Sequence, residues 1–159
     1  MTLAKGLGGG FPIGACLATP NAAFGMTPGA HGSTFGGNPL AGAVANAVLD
    51  IVMNDTFLAD IRRKGLMLRT LMEEIASRYP DLVVEVRGHG LMLGVKTTRS
   101  PQEVVERLRT HAKALTIGAG DNVTRVLPPL IVTDEEIHLF TQRLDQSLAL
   151  LSTPAIPGT

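Results

Sequence analysis

The sequence predicts an α/β domain of helices layered on a small mixed or antiparallel sheet, preceded by a glycine-rich segment that is not self-sufficient. Three observations predict it. In a chain of 159 residues, 45% are hydrophobic, enough for one real core. Residues 1–38 are crowded with glycine, proline and small side chains, and that character ends near residue 54. From Asp55 onward, helix-period and strand-period segments alternate.

In chain order, residues 13–19 are small and apolar and bounded by turn signals, which predicts a buried strand containing Cys16 as a small core residue. Asn38-Pro39 has the residue types of an N-cap and a first helical position. The helix it opens places Leu40, Val44, Val48 and Ile51 on one face. A second helix starts near Asp55, carries Leu58, Ile61, Leu68, Met72 and Ile75, and stops at Tyr79-Pro80. Strands are predicted at 82–86 and 91–95, with Arg87-Gly88-His89-Gly90 as the hairpin loop between them. Ser100-Pro101-Gln102-Glu103 is a capping box at the head of a third helix. Strands near 115–117 and 123–127 follow. Thr133-Asp134-Glu135-Glu136 is a second capping box, and its helix faces Ile137, Phe140, Leu144 and Leu148 inward. The tail after Ser152 reads as frayed. The predicted division is 1–54 and 55–159.

Composition narrows the function. Fourteen basic and fourteen acidic residues cancel, and 4% aromatic content without tryptophan gives no base-stacking surface, so nucleic acid is not an expected partner. No apolar run reaches membrane-spanning length, and no h-region opens the chain. A single cysteine excludes an internal disulfide and fits a reducing, cytoplasmic setting. His31, His89, His111 and His138 lack metal-ligand spacing, so no metal is expected.

Three residues are candidates for chemistry. Lys5 lies among glycines that would let a planar ligand approach the backbone, and a partly desolvated setting would make its amine a nucleophile. On spacing alone a solvated loop lysine is the commoner outcome. Thr34, in Gly32-Ser33-Thr34-Phe35-Gly36-Gly37-Asn38-Pro39, stands just ahead of a helix start, where free N–H groups favour an anion. The competing reading is a capped turn in which Ser33 and Thr34 bond local backbone. Arg125 is a lone charge in the apolar stretch from Val123 to Leu130. It suits either a bidentate carboxylate contact or an outward position on an edge strand, which Pro128-Pro129 would fit.

Taken in order, the runs from Thr2 to Ala15, His31 to Ala41, Val86 to Gly94 and Arg125 to Leu130 resemble the class III, fold-type I aminotransferases, acetylornithine aminotransferases most of all. The resemblance covers nearly the whole chain. It implies pyridoxal 5'-phosphate as cofactor and the small carboxyl-terminal α/β domain of that fold, preceded by a remnant of the large cofactor-binding domain. It further implies that Lys5 condenses with the cofactor aldehyde and shuttles the substrate proton. Thr34 would donate to the cofactor phosphate of the neighbouring subunit in a homodimer, and Arg125 would bind the substrate carboxylate. Family members are more than twice as long. The phosphate cup, the ring-stacking aromatic and the aspartate facing the pyridine nitrogen have no counterpart in this sequence, so little activity is expected of the chain alone. Its start at Met1 is read as a truncation, a split gene or a misplaced start. Ala30, His89 and Gly118 depart from the usual family residues without touching the chemistry. Ornithine, 4-aminobutyrate or succinyl-diaminopimelate as amino donor, or a non-catalytic self-associating domain, are the alternatives.

Overall fold

A computed structural model describes residues 1–152. The expectation for the tail after Ser152 therefore lies outside the described residues. The chain divides into two compact units, Met1–Leu58 and Ala59–Thr159.

In the first unit a two-residue strand, β1 (Thr2–Leu3), pairs antiparallel with β2 (Ala15–Cys16), Thr2 opposite Cys16 and Leu3 opposite Ala15. The Met1 amino group and the Leu17 N–H extend this ribbon, donating to the Leu17 and Met1 carbonyls at 2.7 and 2.8 Å. The strand predicted over 13–19 is thus short, and it is exposed rather than buried. Cys16 is exposed with it, not a core residue. Two short strands have no sheet face to bury.

Helix α1 (Pro39–Val52) begins where its cap predicts, with Asn38 Oδ1 accepting from the N–H groups of Leu40 at 2.9 Å and Ala41 at 3.3 Å. Its buried stripe differs from the predicted one. Ala41 and Ala45 are buried, whereas Leu40 is 62% and Ile51 57% exposed. Val44 and Val48 of the predicted face are half-buried, so the covered stripe runs along Ala41, Val44, Ala45 and Val48 and leaves Leu40 and Ile51 at its margins.

The unit division falls within helix α2 (Asp55–Arg78), whose Leu68, Met72 and Ile75 are buried in the second unit. Strands β3 (Val83–His89), β4 (Met92–Thr97), β5 (Ile117–Ala119) and β6 (Val123–Val126) form one sheet in the order β3-β4-β6-β5, all antiparallel. Pairing between β3 and β4 runs to His89 opposite Met92, so Arg87–His89 are strand and the turn shrinks to Gly90-Leu91. The glycines explain the difference. Gly88 has φ +124°, and a Cβ there would collide with the Met92 carbonyl oxygen, so only glycine carries the strand this close to the turn.

Helix α3 (Pro101–Thr110) is capped by Ser100, whose Oγ accepts from the Glu103 N–H at 3.3 Å. Helix α4 (Asp134–Ser152) has a reciprocal capping box: Glu136 N–H to Thr133 Oγ1 at 3.2 Å, and Thr133 N–H to Glu136 Oε2 at 2.9 Å. Its Ile137, Leu144 and Leu148 are each 1% exposed, and Phe140 packs at the margin of the same core. Leu93, Val95 and Val126 from one sheet face meet these helices. The opposite face carries Arg87, Lys96 and Arg125. Among the described residues no helix is long and apolar enough to cross a membrane.

Candidate functional site

Lys5 opens a 3₁₀ turn, Lys5–Gly8, inside the loop that links β1 to β2. Its backbone sits at φ +59°, a left-handed conformation that a straight-chain residue rarely adopts. The turn is closed by Leu7 N–H to Ala4 O at 3.2 Å, Gly9 N–H to Gly6 O at 3.0 Å and Phe11 N–H to Gly8 O at 2.9 Å. The glycines allow this winding. Gly9 is itself left-handed and lies against Val48 of α1, whose Cγ2 would be 3.0 Å from a Cβ there. Gly8 is buried under Ile13. Held strain of this kind costs roughly 1–3 kcal/mol and collects at functional positions. The side chain is exposed and forms no ion pair or hydrogen bond among the described residues. The desolvated setting anticipated from the sequence is therefore not supplied by this unit.

Thr34 lies in the turn before α1, exposed, its hydroxyl without a hydrogen-bond partner among the described residues. The turn is held by backbone alone, Gly36 N–H to Ser33 O at 3.1 Å and Asn38 N–H to Phe35 O at 3.2 Å. Asn38 does the capping, which leaves both hydroxyls free and occupies the Leu40 and Ala41 N–H groups that an anion would otherwise use. A cavity of about 360 Å³ joins the stretch after the lysine turn to this segment, lined by Pro12, Ile13, Gly14, Ser33, Phe35 and Gly36 among others. Neither Lys5 nor Thr34 lines it.

Arg125 belongs to the second unit. Strand β6 lies between β4 and β5, so the edge-strand reading does not hold, and the edges of this sheet are β3 and β5. Arg125 stands opposite Gly94 on one side and Ile117 on the other. Its guanidinium is exposed and unpaired among the described residues, beside a small hollow of about 240 Å³ walled by Leu115, Ile117 and Leu127. An unpaired guanidinium beside an apolar hollow can take a carboxylate in two parallel N–H···O bonds.

Sequence reasoning missed the charge cluster on the sheet face that Arg125 shares. Asp121 and Asn122, at φ +61° and +54°, form the tight turn into β6. Asp121 accepts from Lys96 Nζ at 2.8 Å and from Arg87 Nη1 at 3.1 Å. The Lys96 hydrogen bond, then the charges of Lys96 and Arg87, hold its carboxyl below the usual range. Asp-Asn between two strand-period runs was the available signal.

Pyridoxal phosphate needs a reachable amine and a donor to its phosphate. Lys5 and Thr34 have the chemistry for these two needs, each exposed and without a competing partner among the described residues. No group of three or more potential ligands for a metal occurs among the described residues.

The family model Aminotransferase class-III matches residues 1–148. The acetylornithine aminotransferase of Mesorhizobium japonicum is 56% identical over 144 residues, covering 91% of this chain and 36% of that protein. Acetylornithine aminotransferase 1 of Bradyrhizobium diazoefficiens is 52% identical over 153 residues, covering 96% and 38%. Among solved structures, the acetylornithine aminotransferase from Elizabethkingia anophelis superposes with a TM-score of 0.82 at 32% identity, covering 94% of this chain and 38% of that one. The ornithine aminotransferase from Toxoplasma gondii gives 0.84 at 32% identity, covering 94% and 36%. The chain thus spans well under half the length of the relatives it matches.

Proposed function

The chain belongs to the class-III aminotransferase family, and from that premise we propose that it carries the cofactor lysine and the carboxylate-binding arginine of a transaminase. The observation that supports this most is Lys5: a left-handed, exposed and unpaired lysine in a glycine turn, at the head of a family match that runs to residue 148. Bound pyridoxal phosphate would supply the electron sink. Lys5 would supply the amine that holds it and would carry a proton to and from the substrate carbon. Thr34 would donate its hydroxyl to the phosphate of a neighbouring subunit, making the working unit a homodimer. Arg125 would take the substrate carboxylate in two parallel N–H···O bonds. In this reading residues 1–54 serve the cofactor and 55–159 the substrate end.

The relatives' names favour N-acetylornithine as amino donor, and the proposal adds 2-oxoglutarate as acceptor, a place in arginine biosynthesis and a cytoplasmic setting. Ornithine is the second reading, supported by the T. gondii structural likeness. Little turnover is proposed for the chain alone, because a hydrated amine is a weaker nucleophile than one in a dry pocket, and Lys5 is exposed.

Borohydride trapping after mixing with pyridoxal phosphate tests the lysine. Lys64 and Lys96 are tied in ion pairs, while Lys113 is exposed, unpaired among the described residues and also left-handed at φ +54°. Peptide mapping should find the label on Lys5 in preference to Lys113. Equal labelling of the two, or none at Lys5, refutes the assignment.

A further inference from the structure

Beside Arg125 the sheet carries an ordered set of charges. Register places Arg87 of β3, Gly94 of β4 and Arg125 of β6 in one row, and Glu85, Lys96 and Val123 in the next. Directly opposed residues share a face. That face therefore holds three permanent cations, Arg87, Lys96 and Arg125, the imidazole of His89, and two carboxylates, Glu85 and the turn residue Asp121. Strand β5 adds only Ile117 and Ala119 to it.

Both carboxylates are taken. Lys96 and Arg87 hold Asp121 at 2.8 and 3.1 Å, and Arg87 also donates to Glu85 at 3.2 Å. Arg125 alone of the three cations has no partner among the described residues. Gly94 stands between the two arginines, and the space over it is filled by Val123, whose Cγ1 would lie 2.6 Å from a Cβ there. Asp121 is nevertheless a natural competitor for Arg125. Arg87 stands in the same row as Arg125 and reaches Asp121, and Arg125 has the same side-chain length on the strand that Asp121 introduces.

We propose that Lys96 and Arg87 are positioning residues: by holding Asp121, they keep Arg125 unpaired and open to a ligand carboxylate. The inference rests on Arg125 being the carboxylate-binding residue proposed above. Exposed ion pairs are individually weak, so losing one arm should alter ligand affinity by roughly two- to fivefold rather than abolish it.

The test uses the full chain with glutarate as probe, followed through the Arg125 Nε–H resonance. Lys96→Met should weaken glutarate roughly two- to fivefold, and adding Asp121→Asn should restore it. In the Lys96→Met protein, Arg125→Gln should shift the Asp121 titration midpoint, and in the wild type it should not. Unchanged affinity in Lys96→Met, or a loss that Asp121→Asn fails to restore, overturns the positioning role while leaving the Arg125 assignment intact. If wild type does not bind glutarate, or binds it as well with Arg125→Gln, the Arg125 assignment falls and takes the inference with it.

Discussion

Gly65→Ala separates two physical effects of opposite sign. Gly65 lies in the middle of α2, where helix propensity alone favours alanine by roughly 1 kcal/mol. Packing opposes it. A Cβ at Gly65 would stand 2.8 Å from both the carbonyl carbon and the Cα of Gly90, and 3.0 Å from its oxygen. Ordinary carbon contacts lie near 3.5–4.0 Å, and these neighbours are backbone, which cannot rotate aside. The Gly90-Leu91 turn would have to retreat from α2. That retreat would strain the bonds from the Arg69 guanidinium to the Gly88 and Val86 carbonyls, at 2.5 and 3.4 Å. Overpacking of this kind costs about 1–3 kcal/mol. Three contacts this short against backbone put the cost toward the upper end of that range, so the packing loss should win and leave the second unit destabilised by about 1–2 kcal/mol. Urea unfolding followed by circular dichroism reads it as a lower midpoint at unchanged slope. Gly42→Ala in α1 is the control: no atom lies within 4 Å of its Cβ position, so about 0.5–1 kcal/mol of local stabilisation is expected. A Gly65→Ala protein as stable as wild type, or more so, would refute the packing argument.

Further outcomes follow from the core, the caps and the surface charges. Leu148→Ala, at a position 1% exposed, should cost about 2–5 kcal/mol in the same unfolding assay. Ser100→Ala should cost about 1 kcal/mol and speed hydrogen exchange at the Glu103 amide, its partner in the cap. Arg63 donates to Asp134 at 2.8 and 2.9 Å, and this bond first, then its charge, holds the Asp134 carboxyl below its ordinary value near 3.8. The folded value is the depressed one, so the contribution is present above the unfolded value and fades as pH falls through the folded one. Carboxyl NMR titration should place the Asp134 midpoint below 3.8, and Arg63→Gln should return it toward that value. A midpoint unmoved by that substitution would remove Arg63 as the cause.

The sheet shows why sequence-level reasoning stops where it does. Three of the four strands of the second unit overlap the predicted runs, whereas β5 begins at Ile117, where the strand predicted near 115–117 ends; in every case a run carries no record of its neighbour. Placing β6 at an edge was a reasonable reading of Pro128-Pro129, but both prolines follow the strand, which ends at Val126. A strand that short can stop before its prolines and still sit between β4 and β5. Lys5 and Arg125 were singled out by their surroundings in sequence and by family likeness. The partners of Asp121 were not, because Arg87, Lys96 and Asp121 are 34 and 25 residues apart along the chain.

By itself the sequence determined the features that act within one turn of chain. The Asn38, Ser100 and Thr133 caps, the inward stripe of α4 and the breaks at Tyr79-Pro80 all depend on residues three or four apart, so residue type and spacing suffice to read them. Only the tertiary structure decided which helix face of α1 is covered, how far β3 and β4 pair, and which cation on the sheet is left without a carboxylate. Those outcomes turn on contacts between distant segments, where a single glycine lets two backbones touch or one register choice sets which side chains share a face.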